Sequence, residues 1–228
     1  MTLQHVDILF QFIVFLLAIS VHESAHAWTA NRCGDPTARM LGRITLNPIK
    51  HIDPFGTILL PLMAVLAHIP VLGWAKPTPV DPRNFKHHVL DDILTSVAGP
   101  VSNFLLAGIA VVLLLVLRFT SPLGQELVTG IPYGYLPVSL SSPLVPLCLL
   151  LYELMEINVV LAVFNLIPVP PLDGSHVLRH FLPNEVARVY DAVGWFALLA
   201  LVFFGGALLT RLISPVLALF DAMLITKI

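Results

Sequence analysis

The chain has 228 residues, of which 57% are hydrophobic and only 11% charged, and its mean hydropathy is +0.89. This composition lies far outside soluble globular usage and describes an integral membrane protein with most of its mass in the bilayer. A formal net charge of -2 without any basic or acidic run excludes nucleic-acid binding and a charged tail.

The first apolar segment, about residues 6 to 31, is long enough to cross roughly 30 Å of hydrocarbon as a helix. It lacks a basic N-terminal flank and a small-residue cleavage site and is read as retained rather than as a signal peptide. Next comes the alternation Arg43, Ile44, Thr45, Leu46, which suits a short β-strand. Residues 54 to 73 are apolar but broken by Pro54, Gly56, Pro61, His68, Pro70 and Gly73, so they either span or re-enter. "GWAKPTPV", residues 73 to 80, is held extended by its prolines and is expected to pair with 43–46 as a small sheet. Strong spans follow at 92 to 118 and 144 to 167, the second stopped by "PVPPLDG". The last region holds a span at about 189 to 210, then Arg211, then an apolar tail from 213 to 226 that looks short for a crossing. The expected fold is thus an all-α polytopic membrane protein of about four to six apolar helices with a small β-structure. No repeat or low-complexity linker is visible, which suggests one domain over residues 1–228. Cys33 and Cys148 lack ligand-like spacing and read as small hydrophobes.

The first span carries "HESAH" at residues 22 to 26, and ionisable groups inside a span point to function. His22 and His26 stand one helical turn apart on one face, so both imidazoles can reach one metal ion, with Glu23 beside a water on that ion. Zinc favours imidazole and in catalytic sites takes three protein ligands, with the glutamate acting as general base. Asp173, Glu153, Glu156, His176, His51 and Asp53 compete for the third ligand position. Asp173 is favoured, because the prolines before it break the helix and let a carboxylate turn back at membrane depth, with Gly174 permitting a tight turn. The ligands then have to arrive on one side of the bilayer, which favours re-entry of residues 54 to 73. Arg32, Arg39, Arg43, Lys50, Lys76, Arg83, Lys86, Arg179 and Arg188 share that side, whereas residues 119 to 144 contain no Lys or Arg, so the positive-inside rule makes it cytoplasmic.

HExxH in a span, together with "GWAKPTPV", "AGPVSN" at 98 to 103 and "NLIPVPPLDG" at 165 to 174, resembles the site-2 protease family of intramembrane zinc metalloproteases. The resemblance covers most of the chain and implies the compact form without an inserted PDZ or appended CBS domain. It implies one zinc ion on His22, His26 and Asp173, Glu23 as catalytic base, and Asn103 and Asn165 beside the site, holding substrate backbone or stabilising an oxyanion. The implied function is hydrolysis of a peptide bond within or near a transmembrane segment of a membrane-protein substrate in the cell membrane. An unwound substrate would add as a strand to the expected small sheet. The alternatives are an ion or proton transporter built on His22, Glu23, His26 and Glu156, or an inactive protease-like scaffold.

Overall fold

In hydrocarbon a backbone must satisfy its own polar groups, so the long apolar runs form helices. The structure, a computed structural model, describes residues 3–59, 63, 74–135 and 142–226. Helices α1 (Leu3–Cys33) and α2 (Thr37–Met40) come first. They are followed by α3 (His88–Thr120), α4 (Pro122–Gly130) and α5 (Leu144–Asn165). The chain ends with α6 (Asp173–Arg179), α7 (Asn184–Phe204) and α8 (Gly206–Ile225). Five of them, within Phe10–Cys33, His88–Thr120, Leu144–Asn165, Asn184–Phe204 and Gly206–Ile225, are long and apolar enough to cross a membrane, and the protein is a multi-pass membrane protein.

Helices α1, α3 and α5 pack against one another as the central bundle. Ala18, Ala27 and Ala30 of α1 and Ala107 and Ala110 of α3 are fully buried, because small side chains let membrane helices approach closely. Val111, Leu114, Met155 and Val159 fill the space between α3 and α5, and Leu127 and Val128 of α4 close it from one end. Phe12, Leu17, Leu105, Ile109, Val112 and Phe196 stay exposed, which is the arrangement a lipid-facing surface requires. Helix α4 falls between the spans expected at 92 to 118 and 144 to 167; Ser121 caps it by accepting from Gly124 N–H at 2.9 Å, with Pro122 in its first turn.

Three expectations are corrected. The tail is longer than it looked: the break falls at Gly205, and α8 takes in Arg211 and Pro215 to make a helix of 20 residues. An exposed Arg211 is tolerable because its charged head can reach toward the membrane surface, and Asp221 is satisfied by the Tyr152 hydroxyl at 3.0 Å. Second, the small sheet is not formed, and no strand occurs among the described residues. The buried Arg43 guanidinium donates to the carbonyls of Lys50 and Lys76, so a side chain ties 43 to 76 where a ladder was expected. Third, the segment is a poor edge for strand addition. Lys76 N–H donates to His51 O at 2.9 Å and Thr78 N–H to Glu23 at 2.8 Å, so one side of the backbone is already used. Successive residues face opposite sides in extended chain, which puts Pro77 and Pro79, both without an N–H, on the other.

The expectation for residues 54 to 73 lies largely outside the described residues, which here include only Pro54–Leu59 and residue 63. The two flanks nevertheless meet: Trp74 N–H donates to Gly56 O at 3.2 Å, and Thr57 Oγ1 donates to Trp74 O at 2.8 Å. Among the described residues, the helices between α1 and Asp173 that are long and apolar enough to cross are α3 and α5. Single cysteines at Lys50 and Arg83, in a background lacking Cys33 and Cys148, should be labelled by an impermeant thiol reagent from the same side of the membrane. Labelling from opposite sides would contradict the joined flanks.

Candidate active site

The site is built where α1, α3 and the start of α6 meet. His22 and His26 are buried on one face of α1, their rings 4.6 Å apart and nearly perpendicular at 81°. Each ring is fixed by its Nδ1. His26 donates from Nδ1 to Thr95 O at 2.7 Å, and His22 donates to Asn103 Oδ1 at 2.5 Å. The amide orientation of Asn103 is set in turn, because its Nδ2 donates to Asn158 Oδ1 at 2.7 Å and Asn158 Nδ2 donates to Leu154 O at 2.8 Å. A neutral imidazole with its proton on Nδ1 has a lone pair on Nε2 to offer.

Those lone pairs converge on the Asp173 carboxylate. The two Nε2 atoms are 3.0 Å apart, His22 Nε2 lies 3.1 Å from Asp173 Oδ2, and His26 Nε2 lies 3.4 Å from Oδ1. Although Oδ2 is that close to His22, it lacks hydrogen-bond geometry and is buried without a partner. Three electron-rich groups so placed require positive charge between them. Donors about 2.0–2.1 Å from a tetrahedral zinc ion would be about 3.3 Å from one another, close to the separations found. These three residues are the only group of metal-type donors to converge among the described residues.

Gly99 keeps the space open. A Cβ there would stand 2.6 Å from His22 Nε2 and closer still to His26 Nε2, so only glycine fits against the two rings. Gly174 serves a different purpose from the one its place in the motif suggests. It lies inside α6, where a Cβ would meet the Leu166 carbonyl, its carbon at 2.6 Å, so glycine allows Asp173 to come down onto the end of α5. Two contacts at the end of α6 tie it to its neighbours, a hydrogen bond between His180 and Asp92 of α3 at 2.7 Å and an ion pair of Arg179 with Asp191 of α7 at 2.9 Å. A cleft of 440 Å³ along α6 is lined by Val80, Pro82, Asp92, Pro170, Ser175 and His176 among others. The end of α1 at Cys33 is about 16 Å along the helix from His22, so the site lies well within the first span.

The other candidate ligands lie elsewhere. His51 is buried with Nε2 donating to Thr45 O at 2.8 Å, and burial pushes its pKa down, keeping it neutral. Asp53 Oδ1 accepts from the backbone N–H groups of Phe55 and Gly56 at 3.0 and 2.7 Å. Glu153 accepts from Gln11 Nε2 at 3.4 Å, and neither it nor Glu156 joins the converging donors. His176 lines the cleft. Asn103 and Asn165 separate as well. Asn103 is fully buried, and its Nδ2 faces Asn158 Oδ1 and, at 3.5 Å, Ala18 O, so no donor remains for an oxyanion. Asn165 uses its Nδ2 on Leu161 O at 3.0 Å within its own helix and retains a second hydrogen.

Asn158 was missed in the sequence. The available signal was an amide in the middle of a span, where an unpaired polar side chain is costly.

Three buried metal-type donors converging in a bundle of apolar helices, two of them from an HExxH motif, define the class of membrane proteins with an HExxH-type candidate metal site. The chain belongs to peptidase family M50, the site-2 protease family, whose sequence model matches residues 10–205. It is 37% identical over 206 residues to a Bacillus subtilis protein named "Putative zinc metalloprotease YwhC", covering 90% of this chain and 84% of that one. It is 29% and 28% identical to proteins named "Putative zinc metalloprotease Rip2" from Mycolicibacterium smegmatis and Mycobacterium tuberculosis H37Rv, covering 82% of this chain and 63% of each of those. No solved structure matches the chain significantly.

Two substitutions test this geometry through metal content. Gly99→Ala should abolish stoichiometric zinc in the purified protein, as its methyl group occupies the space between the rings. Asn158→Leu should weaken zinc affinity by roughly 10- to 100-fold, the usual effect of removing an outer-shell partner, read by competition with a chelator. Unchanged affinity would remove Asn158 from the site's support.

Proposed function

We propose that the protein is a zinc endopeptidase that hydrolyses a peptide bond within or near a transmembrane segment of a membrane-protein substrate. The carrying observation is the convergence of His22, His26 and Asp173 inside a membrane-spanning bundle, with Glu23 adjoining His22. Residues 1–228 act in this reading as one catalytic domain holding one zinc ion on these three side chains. When bound, the ion supplies Lewis acidity, lowering the pKa of water and polarising the scissile carbonyl. Glu23 takes the proton from the attacking water on a carboxylate oxygen and returns it to the departing amine nitrogen. Asn165, with an uncommitted amide hydrogen, stabilises the developing oxyanion. Asn103 holds the His22 ring instead.

The site lies at depth, and a substrate helix conceals its carbonyls in its own hydrogen bonds, so the substrate unwinds locally to react. The cleft along α6, lined by Ser175 and His176, offers a route for water. Arg32, Arg39, Arg43, Lys50, Lys76, Arg83, Lys86, Arg179 and Arg188 fall on the site's side by the count of crossings, and the positive-inside rule supports a cytoplasmic face of a cell membrane for it. The chemistry of the closed donor set favours this reading over an ion path, since a pathway has no use for three donors converging on one point.

Glu23→Gln should abolish cleavage of a model transmembrane peptide while leaving zinc bound. Asp173→Ala should lower zinc occupancy and activity together, because two imidazoles hold the ion less well than three ligands. Substantial turnover by Glu23→Gln would exclude the mechanism, and full zinc occupancy in Asp173→Ala would exclude the ligand set.

A further inference from the structure

Glu23 does not hang freely beside the donor cluster. Its Oε2 accepts two hydrogen bonds from a single residue, Thr78, from the backbone N–H at 2.8 Å and from the hydroxyl at 2.6 Å. The hydroxyl also lies 3.0 Å from the Glu23 carbonyl oxygen. It has one hydrogen, and the shorter contact to a charged oxygen is the stronger. Among the described residues no hydrogen bond reaches Oε1.

Thr78 is itself closely held. Pro77 and Pro79 restrict the backbone on either side of it. Before it, Lys76 is fastened through its N–H to His51 O at 2.9 Å and through its carbonyl to the buried Arg43. After it, Asp81 N–H donates to Asp35 Oδ2 at 2.8 Å, and Asp35 is fully buried at the end of α1. Burial would raise the Asp35 pKa, but hydrogen bonds from Thr37, Asp81 and Asn84 outweigh it and hold the carboxyl below its usual range. The donor pair of Thr78 is thus presented to Glu23 from a frame fixed at both ends.

We propose that Thr78 is a positioning residue for the hydrolysis, gripping Glu23 by Oε2 so that Oε1 faces the attacking water in one orientation. This rests on the reading of Glu23 as the proton acceptor. A flexible glutamate samples several rotamers, and holding one carboxylate oxygen removes that freedom before substrate arrives. HExxH does not reveal the contact, because its two partners are 55 positions apart in the chain.

The test uses the full-length, zinc-loaded protein in detergent with a labelled peptide of about 20 apolar residues, the length of a membrane span. Thr78→Val keeps the shape and the N–H but removes the hydroxyl; it should lower kcat by roughly 10- to 100-fold, a part of the roughly 100- to 10,000-fold that a general base contributes, with zinc content unchanged and KM within about threefold. Thr78→Ser should recover most of the rate. A second readout needs no substrate: the losses in melting temperature from Thr78→Val and Glu23→Ala should be non-additive, as expected of two groups in contact. Wild-type kcat in Thr78→Val, a serine variant as slow as the valine one, or additive melting shifts would each overturn the assignment. Glu23→Gln run in parallel separates the two failures. If it is inactive while Thr78→Val is fast, only the role of Thr78 falls; if it turns over, the reading of Glu23 falls first.

Discussion

Two imidazole nitrogens 3.0 Å apart, each 3.1–3.4 Å from a different oxygen of one carboxylate in an apolar bundle, are the constraint around which the protein is organised. Such a cluster repels itself unless a cation sits at its centre, so the helices that carry it have to be held together by something else. That restraint comes from the far side of each ring. Thr95 O and Asn103 Oδ1, both on α3, take the Nδ1 protons of His26 and His22 and aim the opposite lone pairs inward. Interhelical hydrogen bonds in membranes are worth about 0.6–2 kcal/mol each, which is modest, but they act where no water competes. Asp173 arrives from the other side on a short helix whose end is tied to α3 by a hydrogen bond and to α7 by an ion pair.

The extended segment after Trp74 gains its rigidity without belonging to a sheet. Its N–H groups at Lys76, Thr78 and Asp81 all end on fixed acceptors, and its prolines remove the donors that would otherwise need partners. The buried Arg43 and His51 brace it. Burial lowers the Arg43 pKa while the Glu23 carboxylate opposes that shift, and His51 is kept neutral. The segment can therefore carry chemistry-bearing groups although most of its neighbours are turns and short helices.

The span-forming helices and the pair His22 and His26 were legible because periodicity and span length are local properties of the chain. Asp173 could be favoured among six candidates only through the prolines that precede it, and its contact with α1 depended on counting crossings. The alternation at Arg43–Leu46 misled, since a pattern of side chains cannot reveal that one guanidinium will occupy the carbonyls a ladder would have used. The tail was misjudged because Arg211 looked like an end when Gly205 was the actual break. The grouping of Asn103 with Asn165 shows the same limit: both are amides near the motif, yet one faces inward to another helix and the other bonds its own. Which neighbour an amide meets is a tertiary fact.

The chain of hydrogen bonds from His22 through Asn103 and Asn158 to Leu154 O has a direction, every donor facing the same way along it. That gives the bundle a means of telling correct assembly from incorrect assembly. A slip of α5 by one residue would turn Asn158 by about 100° around the helix and leave the Asn103 amide facing hydrocarbon. The His22 ring would then lose the acceptor that selects its tautomer. Apolar helices of this kind could otherwise slide past one another with little penalty, since alanine, valine and leucine surfaces are much alike. The polar thread makes one register distinguishable from its neighbours, so helices packed out of step would be unable to form the metal centre.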